Sequence, residues 1–193
     1  LPIFHVHGLF VACSCALLNA SEMIFYSKFD ATEALKSLPE ATVMMGVPTF
    51  YTRLLAEPEF TQEKAQNVRL FISGSAPLLE ETFAEFEQRT GKAILERYGM
   101  TETGMNTSNP LNGQRIAGTV GFPLPGTDVR IMDENGQPCD TDGVGSLQVK
   151  GPNVFQGYWR MPEKTAEEFT DDGFFVTGDL GTINADGYVS IVG

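Results

Sequence analysis

The chain has 193 residues, 42% hydrophobic and 20% charged, a globular composition that fits one or two domains and not a disordered segment. Its formal net charge of −12 argues against a binder of nucleic-acid backbones, which need clustered Lys and Arg. The three cysteines, Cys13, Cys15 and Cys139, form no even framework and no second close pair, so they point to a reducing, cytoplasmic setting rather than to disulfides or zinc.

Leu1-Pro2-Ile3-Phe4-His5-Val6-His7-Gly8 reads as a strand running into a turn. Residues 9–18 read as a helix that is apolar on every side and therefore buried. Two histidines, one serine and two cysteines interrupt residues 1–18 and no basic residues precede them, so they make neither a signal peptide nor a membrane span. Residues 22–26 predict a strand. Asp30-x-x-Glu33 is a capping-box-like start for a helix reaching Leu38, stopped by Pro39. Residues 41–45 form a buried strand, and Pro48 opens a helix carrying Phe50, Tyr51, Arg53, Leu54 and Leu55. Residues 68–72 are another strand. Ser73-Gly74-Ser75-Ala76-Pro77 then turns into a helix over 78–90, with Leu79, Phe83 and Phe86 as its core face and Gly91 as its cap. Ala93-Ile94-Leu95 is a short buried strand leading into Glu96-Arg97-Tyr98-Gly99-Met100-Thr101-Glu102-Thr103. This alternation predicts an α/β fold, a helix-covered, mostly parallel sheet with helices on both faces.

After about Asn112 the pattern changes. Residues 118–121, 128–132, 146–150 and 188–192 are short strands, with turns at Asn135-Gly136, Asp142-Gly143 and Asp186-Gly187 and one helix near 162–169. The expected division is an α/β part, 1–112, and a small β-rich part, 113–193. Leu1 at the start and Gly193 directly after a strand-like run suggest an internal piece of a longer enzyme.

The 96–103 stretch carries what a nucleotide site needs. An aromatic ring can lie against a base, a glycine lets backbone approach a ligand, a hydroxyl can bond a phosphate oxygen and a carboxylate can hold Mg2+. A strand end followed by an ordinary polar loop explains the same eight residues equally well. The Gly74 turn lies between a strand and a helix, where ligands collect in open α/β sheets. Thr177-Gly178-Asp179 places a carboxylate at a strand end, suited to two ribose hydroxyls, although Asp is also common in turns. Arg53 in apolar company suits an anionic carboxylate, while a plain surface arginine is the simpler reading. His5 and His7 lack further ligands for a metal and read as packed histidines at a pocket mouth. Gly151-x-x-Val154-x-x-Gly157-Tyr158 reads as structural. No Walker-type phosphate loop occurs.

Together, in order, the segments 1–8, 73–77, 98–103, 145–158 and 177–179 resemble the adenylate-forming superfamily of acyl-CoA synthetases, luciferases and peptide-synthetase adenylation domains. Val47-Pro48-Thr49-Phe50-Tyr51-Thr52-Arg53-Leu54-Leu55, with Glu96-Arg97 and Met105-Asn106-Thr107-Ser108-Asn109-Pro110, is most similar to the malonyl-CoA synthetases in that superfamily. The resemblance implies a ligase that uses ATP, Mg2+ and CoA to turn malonate or methylmalonate into its thioester through an acyl-adenylate. It implies nucleotide contacts at Gly74, Ser75, Ala76, Glu96, Arg97, Tyr98, Gly99, Met100, Thr101 and Asp179. Tyr98 would stack on adenine, Asp179 would hold the ribose, and Thr101 would touch the α-phosphate. Glu102 would ligate magnesium and His7 would sit beside the reacting carboxylate. Arg53, helped by Ser75, would hold the second carboxylate, and Met105 would shape the pocket. The family's phosphate loop and mobile C-terminal domain have no counterpart in this sequence, so the chain alone is expected to be inactive. The rival expectations are a ligase for another carboxylic acid, or a non-catalytic nucleotide-binding remnant.

Overall fold

Two β-sheets follow one another along the chain, and the computed structural model describes all of residues 1–193. Ahead of the first sheet, a turn leads into a π-helical segment, His7–Cys13, that continues as α1 (Ser14–Leu18). Helix α2 (Ala31–Ser37) starts where the Asp30 side chain accepts the Glu33 N–H at 3.1 Å. Strand β1 (Val43–Gly46) is followed by α3 (Pro48–Leu55), which opens on proline, where no N–H is needed. The short α4 (Gln62–Ala65), β2 (Leu70–Ser73) and α5 (Glu80–Thr90) follow, and α5 ends at Gly91 with φ 71°. Strands β3 (Leu95–Met100), β4 (Gly104–Ser108) and β5 (Phe122–Pro123) complete the sheet in the order β1-β2-β3-β4-β5. β1, β2 and β3 run parallel, β4 pairs antiparallel with β3, and β5 pairs antiparallel with β4.

Alternation along β2 decides which side chains meet the helices. Phe71 points into the main core with Tyr51, Phe60, Phe83 and Phe86, whereas Leu70 and Ile72 join Leu95 on the other face. Phe86 is the centre of the main core. Its ring stands edge-on to Tyr51 at 5.4 Å and to Phe71 at 4.9 Å. The buried Tyr51 hydroxyl donates to the Ile72 carbonyl and so ties α3 to β2.

The second sheet, β6 (Asp128–Met132), β7 (Gly145–Lys150), β8 (Phe175–Ile183) and β9 (Val189–Ile191), is antiparallel throughout, and α6 (Pro162–Glu168) lies between β7 and β8. The first sheet therefore ends at Pro123 and the second begins at Asp128. Ile131, Leu147, Val149 and Val189 form its core, and Tyr98 from β3 is packed among them.

Several expected elements differ. Residues 1–8 are a turn and the start of a helix, because the Pro2 carbonyl accepts the His5 N–H and the chain curls instead of extending. Residues 9–18 are helical but not buried: Phe10, Leu17 and Leu18 are largely exposed, since no element of this chain covers them. Residues 22–26 pair with no strand and expose Met23, Ile24, Phe25 and Tyr26. Residues 118–121 form no strand: Ala117-Gly118 is a turn with Gly118 at φ 73°, and Gly121 makes only an isolated bridge, to Val189. Leu79 is the exposed cap residue of α5, and Leu78 takes the buried place. The large helical core lies on one face only; the other carries the small Leu70, Ile72, Leu95 cluster. Finally, residues 96–100 lie within β3 rather than after it, and Asp179 lies within β8 rather than at its end.

Candidate functional site

Two bulges build the site. Between Tyr98 and Gly99 the β3–β4 register slips, so Tyr98 faces Thr107, Gly99 faces Met105, and Asn106 is the extra residue. Gly99 has to be glycine: a Cβ there would lie 2.0 Å from the Gly104 carbonyl oxygen. In β8, Ser146 pairs with Leu180 and Gln148 with Val176, leaving residues 177–179 opposite Leu147 alone. Gly178 takes φ 84° there, and the Thr177 hydroxyl donates to the Leu147 carbonyl at 2.8 Å. The slack turns Asp179 out of the ladder, and its Oδ2 accepts the Tyr98 hydroxyl. That bond joins the first sheet to the second. Burial, and then the hydrogen bond to Asp179, push the Tyr98 hydroxyl well above its ordinary pKa, so it stays a donor. Its ring is 9% exposed and offers little of its face to a ligand.

Thr101 is exposed in the tight turn between β3 and β4, and Glu102 beside it is half-buried. The Glu102 backbone carbonyl accepts the Phe155 N–H at 2.8 Å, and its Oε1 accepts the Tyr158 hydroxyl at 3.3 Å. Behind it lies a buried polar strip, Thr103, Asn106 and Thr107, knitted by Asn153, whose amide donates to the Thr103 carbonyl at 2.8 Å and to Asn106 Oδ1 at 3.1 Å. Met100 ends β3 with its sulfur 3.9 Å from the Tyr98 hydroxyl, and Met105 lies half-buried on β4.

The Gly74 turn lies one strand away, since Ser73 pairs with Glu96. Gly74 is closely packed: a Cβ would sit 3.4 Å from both the Arg97 carbonyl and the His7 ring. Ser75 takes φ 68°, a left-handed conformation that costs a non-glycine residue about 1 kcal/mol or more. Its hydroxyl is 2.9 Å from His7 Nδ1. Ala76 is exposed next to it. His7 is buried and its Nε2 has no partner. Burial first, then the Arg97 charge, hold its pKa below 6.5, so it is neutral at pH 7.

Two groups result on neighbouring parallel strands: Ser75 with His7 beyond the end of β2, and Tyr98 with Asp179, and Glu102 near them, at the end of β3. The side chains of Glu96 and Arg97 are placed otherwise. Glu96 is 5% exposed, and burial raises its carboxyl to about 7, opposed by the Gly118 and Leu78 N–H groups and assisted by Glu80. Arg97 points to the other face, toward His7, with its Nε buried and unpartnered. Arg53 is exposed in the second turn of α3, its guanidinium 4.9 Å above the Phe29 ring, which stacks on Phe50. It forms no salt bridge within the chain.

Tyr158, Asn153 and Asn106 escaped the sequence reading. Gly157-Tyr158 was visible as punctuation, and nothing local indicated that its hydroxyl reaches Glu102. No group of three or more His, Cys, Asp or Glu residues is arranged to hold a metal, and no helix is long and apolar enough to cross a membrane. Glu102 alone would still suit magnesium, which commonly takes one or two carboxylates and leaves its other positions to phosphates and water.

A crevice at strand ends, with a carboxylate-held tyrosine and a glycine turn one strand away, is where ligands collect in open α/β sheets. The family model for AMP-binding enzymes matches residues 1–159, and the chain belongs to that family. It is 44% identical over its whole length to a probable CoA ligase, CCL8, of Humulus lupulus, and 43% identical to a malonate–CoA ligase of Arabidopsis thaliana. The chain spans 35% and 34% of those two relatives. The ATP-bound crystal structure of MatB from Rhodopseudomonas palustris superposes with a TM-score of 0.98 at 58% identity, covering 100% of this chain and 39% of that one. Within its family, then, the chain is homologous to the malonate–CoA ligases.

Proposed function

We propose that the protein is an AMP-forming acid–thiol ligase that joins malonate, or methylmalonate, to CoA at the expense of ATP. The observation that supports this most is the Tyr98–Asp179 hydrogen bond, which ties a β8 carboxylate to β3, the strand that runs into Glu102, in a chain homologous to malonate–CoA ligases.

In the first step a carboxylate oxygen attacks the α-phosphorus of ATP, the bond to the bridging oxygen breaks, and pyrophosphate leaves. In the second, the CoA thiol attacks the acyl carbon, loses its proton, and AMP departs. Both steps bring anions together, so the chain's task is positioning and charge neutralisation. Gly74, Ser75, Ala76 and Tyr98 border the adenine, with backbone of residues 96–100 beside them. Asp179 keeps Oδ1 for the ribose while Oδ2 holds Tyr98. The Thr101 hydroxyl meets the α-phosphate. Glu102 would hold magnesium, whose charge would offset that of the phosphates. With the Ser75 hydroxyl donating to His7 Nδ1, the proton on His7 rests on Nε2, which donates to the reacting carboxylate. Arg53 takes the far carboxylate, Ser75 helps it through its backbone N–H because its hydroxyl is committed to His7, and Met105 shapes the pocket around the α-carbon. Three cysteines, all free, fit a cytoplasmic setting.

Pyrophosphate exchange by the full-length protein with malonate, methylmalonate, acetate and a long-chain acid tests the substrate class. Malonate or methylmalonate should win. Arg53→Ala should cut kcat/KM for malonate at least tenfold with ATP affinity kept, since a planar fork paired to a carboxylate is worth roughly 1.5–3 kcal/mol. Unchanged kcat/KM for malonate would remove Arg53 from the site, and preference for a monoacid would remove the diacid reading.

A further inference from the structure

Glu102 is not held by its own turn. Its neighbour Thr101 is exposed, and the contacts that fix Glu102 come from residues 155–158, more than fifty positions along the chain. That loop is built stiffly. The Phe155 N–H donates to the Glu102 carbonyl at 2.8 Å. The Phe155 ring is packed edge-on against Tyr158 at 4.8 Å and against buried Phe175 at 5.3 Å. The Tyr158 N–H donates to Thr165 Oγ1 at 2.9 Å, and that hydroxyl donates to the Met161 carbonyl at 3.0 Å. Gly157 sits at φ 142°, where a Cβ would lie 2.6 Å from Thr165 Cγ2, so the backbone passes too close to α6 for any side chain. These contacts anchor the loop on both sides of its tyrosine, whose hydroxyl meets Glu102 Oε1 at 3.3 Å.

We propose that Tyr158 is a positioning residue for magnesium-dependent nucleotide binding: by donating to one oxygen of Glu102 it turns the other oxygen toward the cation. This rests on the reading of Glu102 as the magnesium carboxylate. The chemistry favours it. A lone carboxylate on a turn rotates freely and presents a cation with a different oxygen in each rotamer, whereas a donor on Oε1 selects one orientation. Tyr158 touches neither phosphate nor substrate in this scheme and acts only through Glu102.

The test uses the full-length protein and its Tyr158→Phe and Glu102→Gln variants. Calorimetric titration of Mn2+ into protein with ATP present, and the magnesium concentration for half-maximal pyrophosphate exchange, are the two readouts. Loss of an outer partner costs about 10- to 100-fold in metal affinity, and the length of this bond points to the lower end, about tenfold. Tyr158→Phe should therefore weaken Mn2+ binding and raise the magnesium requirement about tenfold, leave the KM for the carboxylic acid unchanged, and melt within about 2 °C of the parent. Gly157→Ala, which displaces the tyrosine without altering its hydroxyl, should act in the same direction. If Glu102→Gln raises the magnesium requirement and Tyr158→Phe does not, the positioning role is wrong and the ligand reading stands. If Glu102→Gln leaves metal binding unchanged, the ligand reading falls and the inference with it, whatever Tyr158→Phe does. A Tyr158→Phe loss spread equally over metal, acid and melting temperature would make the residue merely structural.

Discussion

Glu96 is the group whose charge the fold resists most clearly. Its carboxylate is 5% exposed on the α5 side of β3, near the Leu78 and Gly118 N–H groups and Glu80. Burial dominates, so the carboxyl rises from the ordinary 4.5 to about 7. The sign follows from proton binding. Between pH 4.5 and 7 the folded chain holds a proton that the unfolded chain has released, so stability falls as pH rises through that window and stays low above it. A rise from 4.5 to about 7 corresponds to a loss of roughly 3 kcal/mol between pH 4 and pH 8. Glu96→Gln removes the charge and keeps an acceptor. Its new amide nitrogen replaces Oε1, which makes no hydrogen bond, so the substitution breaks none. Relative to the parent, the variant should be roughly 3 kcal/mol more stable at pH 8 and nearly equal at pH 4. For a chain of this size that is about 6–12 °C in melting temperature. Urea and thermal melts of the 193-residue chain at the two pH values read the difference directly, because every other carboxylate is common to both proteins. An equal gain at both pH values, or no gain at pH 8, would refute burial as the cause.

Gly99→Ala should cost roughly 3 kcal/mol, the upper end for overpacking, because its Cβ meets backbone, the Gly104 carbonyl, which cannot swing away. Gly104→Ala, at φ 64° but with nothing within 4 Å, should cost only about 1 kcal/mol, and comparing the two by urea melts separates collision from backbone strain. In the second sheet, Asp172 is forked to Arg130 at 2.5 and 3.0 Å, which lowers its carboxyl from 3.8 to about 2. The carboxyl NMR signal should titrate near that value and return toward 3.8 in Arg130→Gln. Any stability from the pair is present above 3.8 and lost as pH falls through about 2.

What the sequence displays well is chemistry that acts within four residues. Asp30 before its helix, Pro48 at a first turn and Gly91 at a helix end each work through their own backbone, and each reads correctly. Burial is different, because it depends on what arrives from elsewhere. Residues 9–18 are apolar on all sides and still exposed, and residues 22–26 have strand composition but no neighbour to pair with. Glu96 shows the same limit at the site. A carboxylate inside a ligand-like motif reads as a ligand contact, yet the period of two sends it to the same face as Tyr98 and under α5. The partnership of Tyr158 with Glu102 depends on a fold that closes a gap of 56 positions, which no local pattern encodes.

Bulges explain why the site falls at the joint between sheets rather than within either. In a regular ladder each residue is paired, and its side chain is committed to one face or the other. An extra residue releases that commitment. In β4 the surplus is Asn106, whose buried amide braces the 151–155 loop through Asn153; in β8 it is the Gly178 corner that swings Asp179 toward β3. Tyr98 is held from both directions. Its backbone belongs to the first sheet, while its ring is buried in the core of the second. Ring burial contributes roughly 2 kcal/mol and a hydrogen bond to a carboxylate roughly 1.5–3 kcal/mol. Beside the Gly121–Val189 bridge, which also links the sheets, Tyr98 helps to dock them through its ring and aims Asp179 through its hydroxyl. Tyr98→Phe, which keeps the ring and loses the hydroxyl, leaves the docking largely intact and frees the carboxylate, so orientation of Asp179 and cohesion of the two sheets are separable at a single oxygen atom.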